Sequence, residues 1–391
     1  MMRDLALEFV RLGHQVMVVT PSDSVEGATC VTKENGVSVV RVKAGNMKSA
    51  SKTLRLWRES RLSAIIWRNA RDVLRENACE LIVSYSPTIF FGDLVRRLKV
   101  LWGCRSYLIH RDIFPQWAVD AGLLREGGLL HRYLRRKELA QYAAADVIGV
   151  EAPGNLSYFN HELQGNNYRA EVLYNWISSR ISSACMSSWR QKLELGGKVV
   201  FFYGGNIGVA QDLNNILRLA ANLRDRDNVF FLLMGGGSEV PRLNLEIDRL
   251  GLRNIRILPA IPQEEYVQCL SEFDVGLVSL DRHLRSNNFT GKVLGYVSCS
   301  KPILASVNPG NDLIDFLHRT DAGIACTNGE DDKLRSAALL LAAEPLVRER
   351  MGRNARALVG STFSVEVIAR QILSHCGSAM DGAKSATQQS A

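Results

Sequence analysis

The feature that most constrains the fold is an alternation of short, continuously apolar runs with longer helical stretches, repeated in two series. The first series of strand-like runs comprises Gln15–Thr20, Leu81–Tyr85, Ser106–Ile109, Val147–Val150 and Glu171–Leu173. The second comprises Lys198–Tyr203, Val229–Met234, Ile255–Leu258, Val275–Ser279, Pro302–Val307 and Gly323–Ala325. A strand that is apolar on both faces needs cover on both faces. Helices between successive strands supply it, so the pattern predicts buried parallel sheets. Two such series within 391 residues predict an α/β chain of two domains.

The spacing places the first domain at residues 1–175 and the second at 198–360. Residues 176–197 join them, a polar stretch that ends in Gly196-Gly197. A last helix is expected within 361–376, over Phe363–His375, and the small polar tail 377–391 reads as disordered. At the other end, Leu5, Phe9 and Leu12 share a helical face and Gly13 is a natural stop before the first strand. The chain thus opens inside a helix, whereas a doubly wound domain normally opens with a strand and a Gly-rich turn. Two readings stay open. The first domain lacks its first strand, or the true start lies upstream of Met1, which is the favoured reading.

No apolar run approaches the roughly 18–20 residues that span a bilayer, and the N-terminus has no signal-peptide pattern. The eight cysteines show no C-x-x-C pair and no zinc-like spacing with histidine, which points to reduced cytoplasmic thiols and no metal site. Residues 1–180 hold 25 Lys and Arg against 18 Asp and Glu, a net +7, while residues 181–391 hold 23 against 22. A basic first half suggests an anionic partner. Within Lys48–Arg75, cations interleave with Trp57, Trp67 and several aliphatic residues, and Arg61, Arg68 and Arg75 recur every seven residues. Such a basic amphipathic face suits an anionic membrane surface, with an ordinary solvated helix as the alternative. Nothing resembles a helix-turn-helix or zinc finger, so no nucleic-acid partner is expected.

Four runs carry candidate chemistry. Tyr203-Gly204-Gly205-Asn206-Ile207-Gly208 lies between the first strand of the second domain and a helical run, where close glycines let backbone N–H groups approach a pyrophosphate. Met234-Gly235-Gly236-Gly237-Ser238-Glu239 follows the next strand and leaves room for a ligand. Asn287-Asn288-Phe289-Thr290-Gly291-Lys292-Val293-Leu294-Gly295-Tyr296 opens a short helix with a lysine in its first turn. Free N–H groups, the macrodipole and Lys292 together predict a phosphate site there. In the first domain, His110-Arg111-Asp112-Ile113-Phe114-Pro115-Gln116-Trp117 follows a strand end. It faces a ligand crevice, or else it holds an Arg–Asp pair that fixes a loop.

Taken in order, these runs resemble family-4 retaining nucleotide-sugar glycosyltransferases over roughly residues 5–375, about the whole of the patterned chain. The G-G-N-I-G turn resembles the one that opens the donor domain of many family-4 transferases, and the R-D-I-F-P segment and the N-F-x-G-K run followed by Lys301-Pro302-Ile303-Leu304 resemble a subgroup of bacterial O-antigen and capsule transferases, among them fucosamine transferases. The resemblance implies the GT-B fold: two Rossmann-like domains facing across a cleft, the last helix returning to the first. It implies a UDP-sugar donor held by Gly204, Gly205, Asn206, Gly208, Gly236, Gly237, Ser238, Asn287, Asn288, Gly291 and Tyr296. Lys292 and the N–H groups near Gly204 and Gly205 would steady the departing diphosphate. Asp112 would meet the acceptor hydroxyl, and His110 would lie near the donor sugar.

The implied acceptor is a lipid-linked saccharide at the inner face of the cytoplasmic membrane, and the implied reaction needs no metal or other cofactor. The chain departs from the family pattern at three places. Ala210-Gln211-Asp212 lacks the basic pair that follows the glycine turn, Thr290 replaces the subgroup's usual proline, and the two glutamate positions read Asn287 and Gly295. An N-terminally truncated or catalytically silent transferase acting as a binding subunit remains an alternative, and a GT-B sugar-nucleotide epimerase is a second.

Overall fold

The computed structural model describes residues 1–45, 52–86, 88–111, 113–120, 122–157, 159, 168–177, 189–284 and 289–376. Of the sequence-derived candidates, Asp112, Asn287, Asn288 and the tail 377–391 lie outside the described residues. The chain divides into two compact units, Met1–Tyr174 with Val365–Ala391, and Asn175–Ser364.

The strands, in chain order, are β1 (Val16–Ser22), β2 (Thr29–Glu34), β3 (Val37–Lys43), β4 (Leu81–Ser86), β5 (Arg105–His110), β6 (Val147–Val150) and β7 (Ala170–Val172) in the first unit. The second unit holds β8 (Val199–Gly204), β9 (Val229–Met234), β10 (Ile255–Leu258), β11 (Val275–Ser279), β12 (Ile303–Val307) and β13 (Gly323–Thr327).

The second unit is one six-stranded parallel sheet in the order β10-β9-β8-β11-β12-β13. Counted within the unit, this is the doubly wound order 3-2-1-4-5-6, whose direction reverses between β8 and β11. Helices cover both faces, and every residue of β9, β11 and β12 is buried. That is why these strands read as unbroken apolar runs. Phe201 stacks on Phe231 at 5.2 Å and Phe202 on Phe273 at 5.1 Å, which fills the space between sheet and helices. The expected joining stretch is packed into this unit where it is described. The Glu272 carboxylate accepts the Trp189 and Arg190 N–H groups, and Arg190 pairs with Asp274 at 2.5 Å. Ile177 N–H donates to Phe363 O at 2.9 Å, tying the unit's two ends together.

The first unit differs from a single doubly wound sheet. Among the described residues its strands form two sheets, β1-β3-β2 and β4-β5-β6-β7. β1 and β3 run parallel, and β2 is antiparallel to β3. β2 and β3 were absent from the sequence-derived strands. Asn35 and Gly36 both have positive φ (49° and 86°) and join them in a two-residue hairpin, the Asn-Gly turn that matches strand twist. β1 and β4 each pair along one edge only among the described residues, and both stay half-buried where β5 and β6 are buried. A shared core joins the sheets: Met17 and Val19 of β1 and Ile82 of β4 pack on one cluster with Ile66, Leu74, Leu94 and Leu98.

The helix Val365–Leu373 belongs to the first unit and packs on the helix Met2–Arg11. Glu171 anchors it, accepting from Gln371 (2.9 Å), Tyr107 (2.8 Å) and the His375 ring (3.0 Å). No helix of the described residues is long and apolar enough to cross a membrane.

Candidate active site

The C-terminal ends of β8, β9 and β10 open onto a cleft of 530 Å³ in the second unit, at the sheet edge where doubly wound folds bind ligands. Its walls are Gly204, Gly205 and Asn206 after β8, Met234, Gly235 and Gly236 after β9, and Ala260 and Ile261 after β10. Tyr266, Gly291, Lys292 and Gly295 close the remaining side.

The two glycine loops are zipped together. Gly205 N–H donates to Met234 O (2.9 Å), and Ile207 N–H donates to Gly236 O (2.8 Å). A Cβ on Gly235 would stand 1.8 Å from Gly205 O, and one on Gly237 2.1 Å from Ile207 O, so side chains there would drive the loops apart. Gly205 itself sits at φ +127°, a conformation that L side chains rarely adopt. This pairing changes the expected donor set. Gly204 N–H faces the Tyr296 hydroxyl (3.4 Å), and Gly208 N–H donates to Gln211 Oε1 (3.2 Å). The N–H groups of Gly204 and Gly205 are therefore committed within the protein. Among the described residues, Asn206 and Gly236 N–H have no partner, and both residues line the cleft.

Lys292 is the cleft's cation. Its Nζ stands over the Tyr203 ring, 4.9 Å from the centroid, and it has no ion-pair partner among the described residues. Burial favours the neutral amine and lowers its pKa to about 8. Three residues before it, Phe289 meets Phe316 edge-on at 5.0 Å. The helix that Lys292 opens, Lys292–Ser298, has seven residues. So short a helix adds little macrodipole, and the side-chain amine supplies most of the positive potential.

Tyr296 lies beneath the cleft. Its side chain is fully buried, its hydroxyl donates to Leu277 O (2.8 Å), and its ring occupies the space a Cβ on Gly276 would need. It supports the glycine loop from below. Ser238 is exposed at the loop tip and Gly208 lies behind the loop, neither on the cleft wall.

Met234, Ala260, Ile261 and Tyr266 are wall residues that the motif reading passed over. Three of them stand on or after β9 and β10, and the 3-2-1-4 order places those ends beside β8. Strand ends were the available signal. Tyr266 comes from a helix and had none. Its hydroxyl has no hydrogen-bond partner among the described residues, and its ring tilts on Phe202 at 5.8 Å.

In the first unit His110 is a core residue, 1% exposed. Its Nε2 shares a hydrogen bond of 2.9 Å with the Tyr142 hydroxyl, which donates to Glu138 Oε1 at 2.8 Å. Arg135 completes the chain by pairing with Glu138 at 2.6 Å. Burial, with the neighbouring Arg111 charge, pulls the His110 pKa down to about 3 and keeps the ring neutral. An imidazole held in this way is packed among core side chains, in contrast to the expected place beside a sugar.

The basic segment is also rearranged. It forms two helices, Lys52–Ser60 and Leu62–Glu76, that break at Arg61, so Arg61 does not continue the face of Arg68 and Arg75. Trp57 is 55% exposed with Arg61 over its ring at 4.8 Å. Trp67 instead packs toward the core, with Arg75 and Arg97 at 5.9 and 5.8 Å above it. Arg68 and Arg75 are exposed.

Comparison with known proteins reaches the same site. Residues 186–358, which include every wall residue of the cleft, match the family model for glycosyl transferases group 1. That match falls within the second unit. The fold is GT-B, shared with HepE from Anabaena solved in complex with UDP-glucose (TM-score 0.63, 18% identity, 81% of this chain and 82% of that one). Among curated proteins, the chain is 25% identical over 239 residues to the Pseudomonas aeruginosa protein named "Probable glycosyltransferase WbjE", covering 59% of this chain and 58% of that one. It is 27% identical over 191 residues to WcaI of Escherichia coli K12, named for glycosyl transfer in colanic acid biosynthesis, covering 46% and 45%. The chain thus spans about half the length of the curated relatives it matches. Both relatives carry names of bacterial glycosyltransferases, and that of WcaI is a name from polysaccharide synthesis.

Proposed function

We propose that this protein is a glycosyltransferase that moves a sugar from a UDP-sugar to a lipid-linked saccharide in bacterial surface-polysaccharide synthesis, with retention of configuration. The observation that carries the reading is the Lys292 amine, set without an acidic partner among the described residues in a glycine-walled cleft at the sheet's switch point. Such a group asks for an anion, and the nearby Asn206 and Gly236 N–H groups suit phosphate oxygens. When the nucleoside diphosphate departs, negative charge grows on those oxygens while the sugar becomes oxocarbenium-like. A protonated Lys292 steadies that charge, the task a metal ion performs at other sites. The apolar side formed by Met234, Ala260 and Ile261 suits the flat face of a base, and the Tyr266 hydroxyl suits a ribose or sugar hydroxyl. Retention, an N-acetylated deoxyhexosamine as the sugar, and the acceptor role of Asp112 rest on the motif resemblance. The acceptor's lipid and the basic first unit support peripheral attachment to the inner face of the cytoplasmic membrane.

A second reading has one observation in its favour. Gly295 puts no side chain on the wall where the family pattern carries a carboxylate, which suits a donor-binding subunit without turnover. Thermal melting with UDP, and with GDP as comparison, tests the donor site. A rise with UDP that Lys292→Ala abolishes is expected, since a ligand bound only to the folded state stabilises it. Donor turnover then separates enzyme from binding subunit, and the absence of any shift refutes both.

A further inference from the structure

The first unit carries a cluster of apolar side chains turned to solvent. Leu56 and Leu124 pack on the same small core of Ile89, Phe90 and Leu134, and Tyr133 meets the Phe90 ring at 6.4 Å. The helix Lys52–Ser60 and the segment 122–134 therefore share one floor. In these two segments Trp57 is 55% exposed, Leu123 66%, Leu130 48% and Leu129 88%. Large apolar groups clustered in water mark a docking surface.

The charge around this cluster says what docks. Residues 52–61 and 122–136 hold eight Lys and Arg against two Glu, a net charge of +6. Arg61 lies over Trp57, and Arg125, Arg132 and Arg136 are exposed among the leucines. One of the two carboxylates, Glu59, is already paired with Arg55 at 2.7 Å, and Arg135 is engaged by buried Glu138.

We infer that this face docks on the headgroup region of an anionic bilayer. Trp57, Leu123, Leu129 and Leu130 enter the interface, and the arginines meet lipid phosphates. Separate protruding apolar tips set among cations suit a deformable anionic surface, which accepts each tip wherever it falls. The inference rests on the lipid-linked acceptor of the proposed function. It moves the membrane surface from Trp67 and Arg75 to the end of the first basic helix and the segment 122–136.

Co-sedimentation of the full chain with vesicles of phosphatidylcholine, with and without phosphatidylglycerol, tests it. Pelleting with the anionic vesicles, reversed by high salt, is expected. Leu129→Glu with Leu130→Glu lowers that partitioning by at least about tenfold, as loss of two buried leucines requires. Arg132→Glu with Arg136→Glu lowers it by roughly fivefold per charge or more. Both variants keep the parent's UDP-induced melting shift, because the cleft lies wholly in the second unit. Failure of the donor reading and failure of this one are therefore separate results. No pelleting of the parent, or pelleting that the leucine variant leaves unchanged, overturns the inference. So does self-association of the parent that the leucine variant abolishes without any vesicle binding, which would assign the face to a second copy.

Discussion

Raising the pH from 7 to 9 tests the role of Lys292 without touching the fold. Burial disfavours the charged amine and sets its pKa at about 8. The proton is thus held below that value and lost as pH rises through it. At pH 7 the amine is about nine-tenths charged and at pH 9 about one-tenth, so UDP affinity falls about tenfold, or about 1.4 kcal/mol. Bound diphosphate keeps the proton on Lys292, so binding above pH 8 takes up a proton from solution. The ligand's own phosphate titration, with a second pKa near about 6, lies outside this window. Titration calorimetry in buffers of different ionisation heat measures both affinity and proton uptake.

Two variants complete the test. Lys292→Ala removes a charged hydrogen bond worth about 1.5–3 kcal/mol, so affinity at pH 7 falls about ten- to a hundredfold and the pH slope disappears. Lys292→Arg, charged throughout, also loses the slope. A Lys292→Ala variant with the parent's slope, or a parent whose affinity is flat to pH 9, refutes the assignment.

Two further outcomes are expected. Gly235→Ala places a methyl 1.8 Å from Gly205 O, so the zipped loops separate. A loss of about 1–3 kcal/mol in urea unfolding, with the UDP melting shift gone, is the expected result. An unchanged UDP shift would show that the loop pairing does not shape the cleft. His110 has a folded pKa of about 3, below the ordinary histidine value. Its depressed pKa means that the unfolded chain takes up the proton first as pH falls below about 6.5, and stability drops by about 2 kcal/mol by pH 5. His110→Phe, which loses the Tyr142 hydrogen bond at a cost of about 1 kcal/mol, should flatten that acid loss. Equal acid sensitivity in parent and variant would argue against a buried neutral ring.

The sequence by itself determined the second unit and much of its cleft. β9, β11 and β12 are covered on both faces, so burial alone made them continuous apolar runs legible without a structure. The glycines after β8 and β9 and the lysine at 292 follow strand ends or open a helix, and local geometry assigns such positions a ligand-facing role. The β2–β3 hairpin was written just as locally, in Asn35-Gly36, yet half-exposed strands with polar residues such as Thr32, Lys33 and Glu34 hid it from a search for apolar runs.

Only the tertiary structure decided which polar groups are free. Gly204 and Gly205 N–H are taken by Tyr296 and Met234, residues distant in sequence, while Asn206 and Gly236 N–H have no partner among the described residues. His110 looked like a strand-end catalytic group until Tyr142 and Glu138 closed around it. Trp57 and Trp67 share one basic segment, but the break at Arg61 turns one to solvent while the other packs inward. Hydrogen-bond partners and burial depend on what the chain brings back from tens of residues away, and no local pattern carries that information.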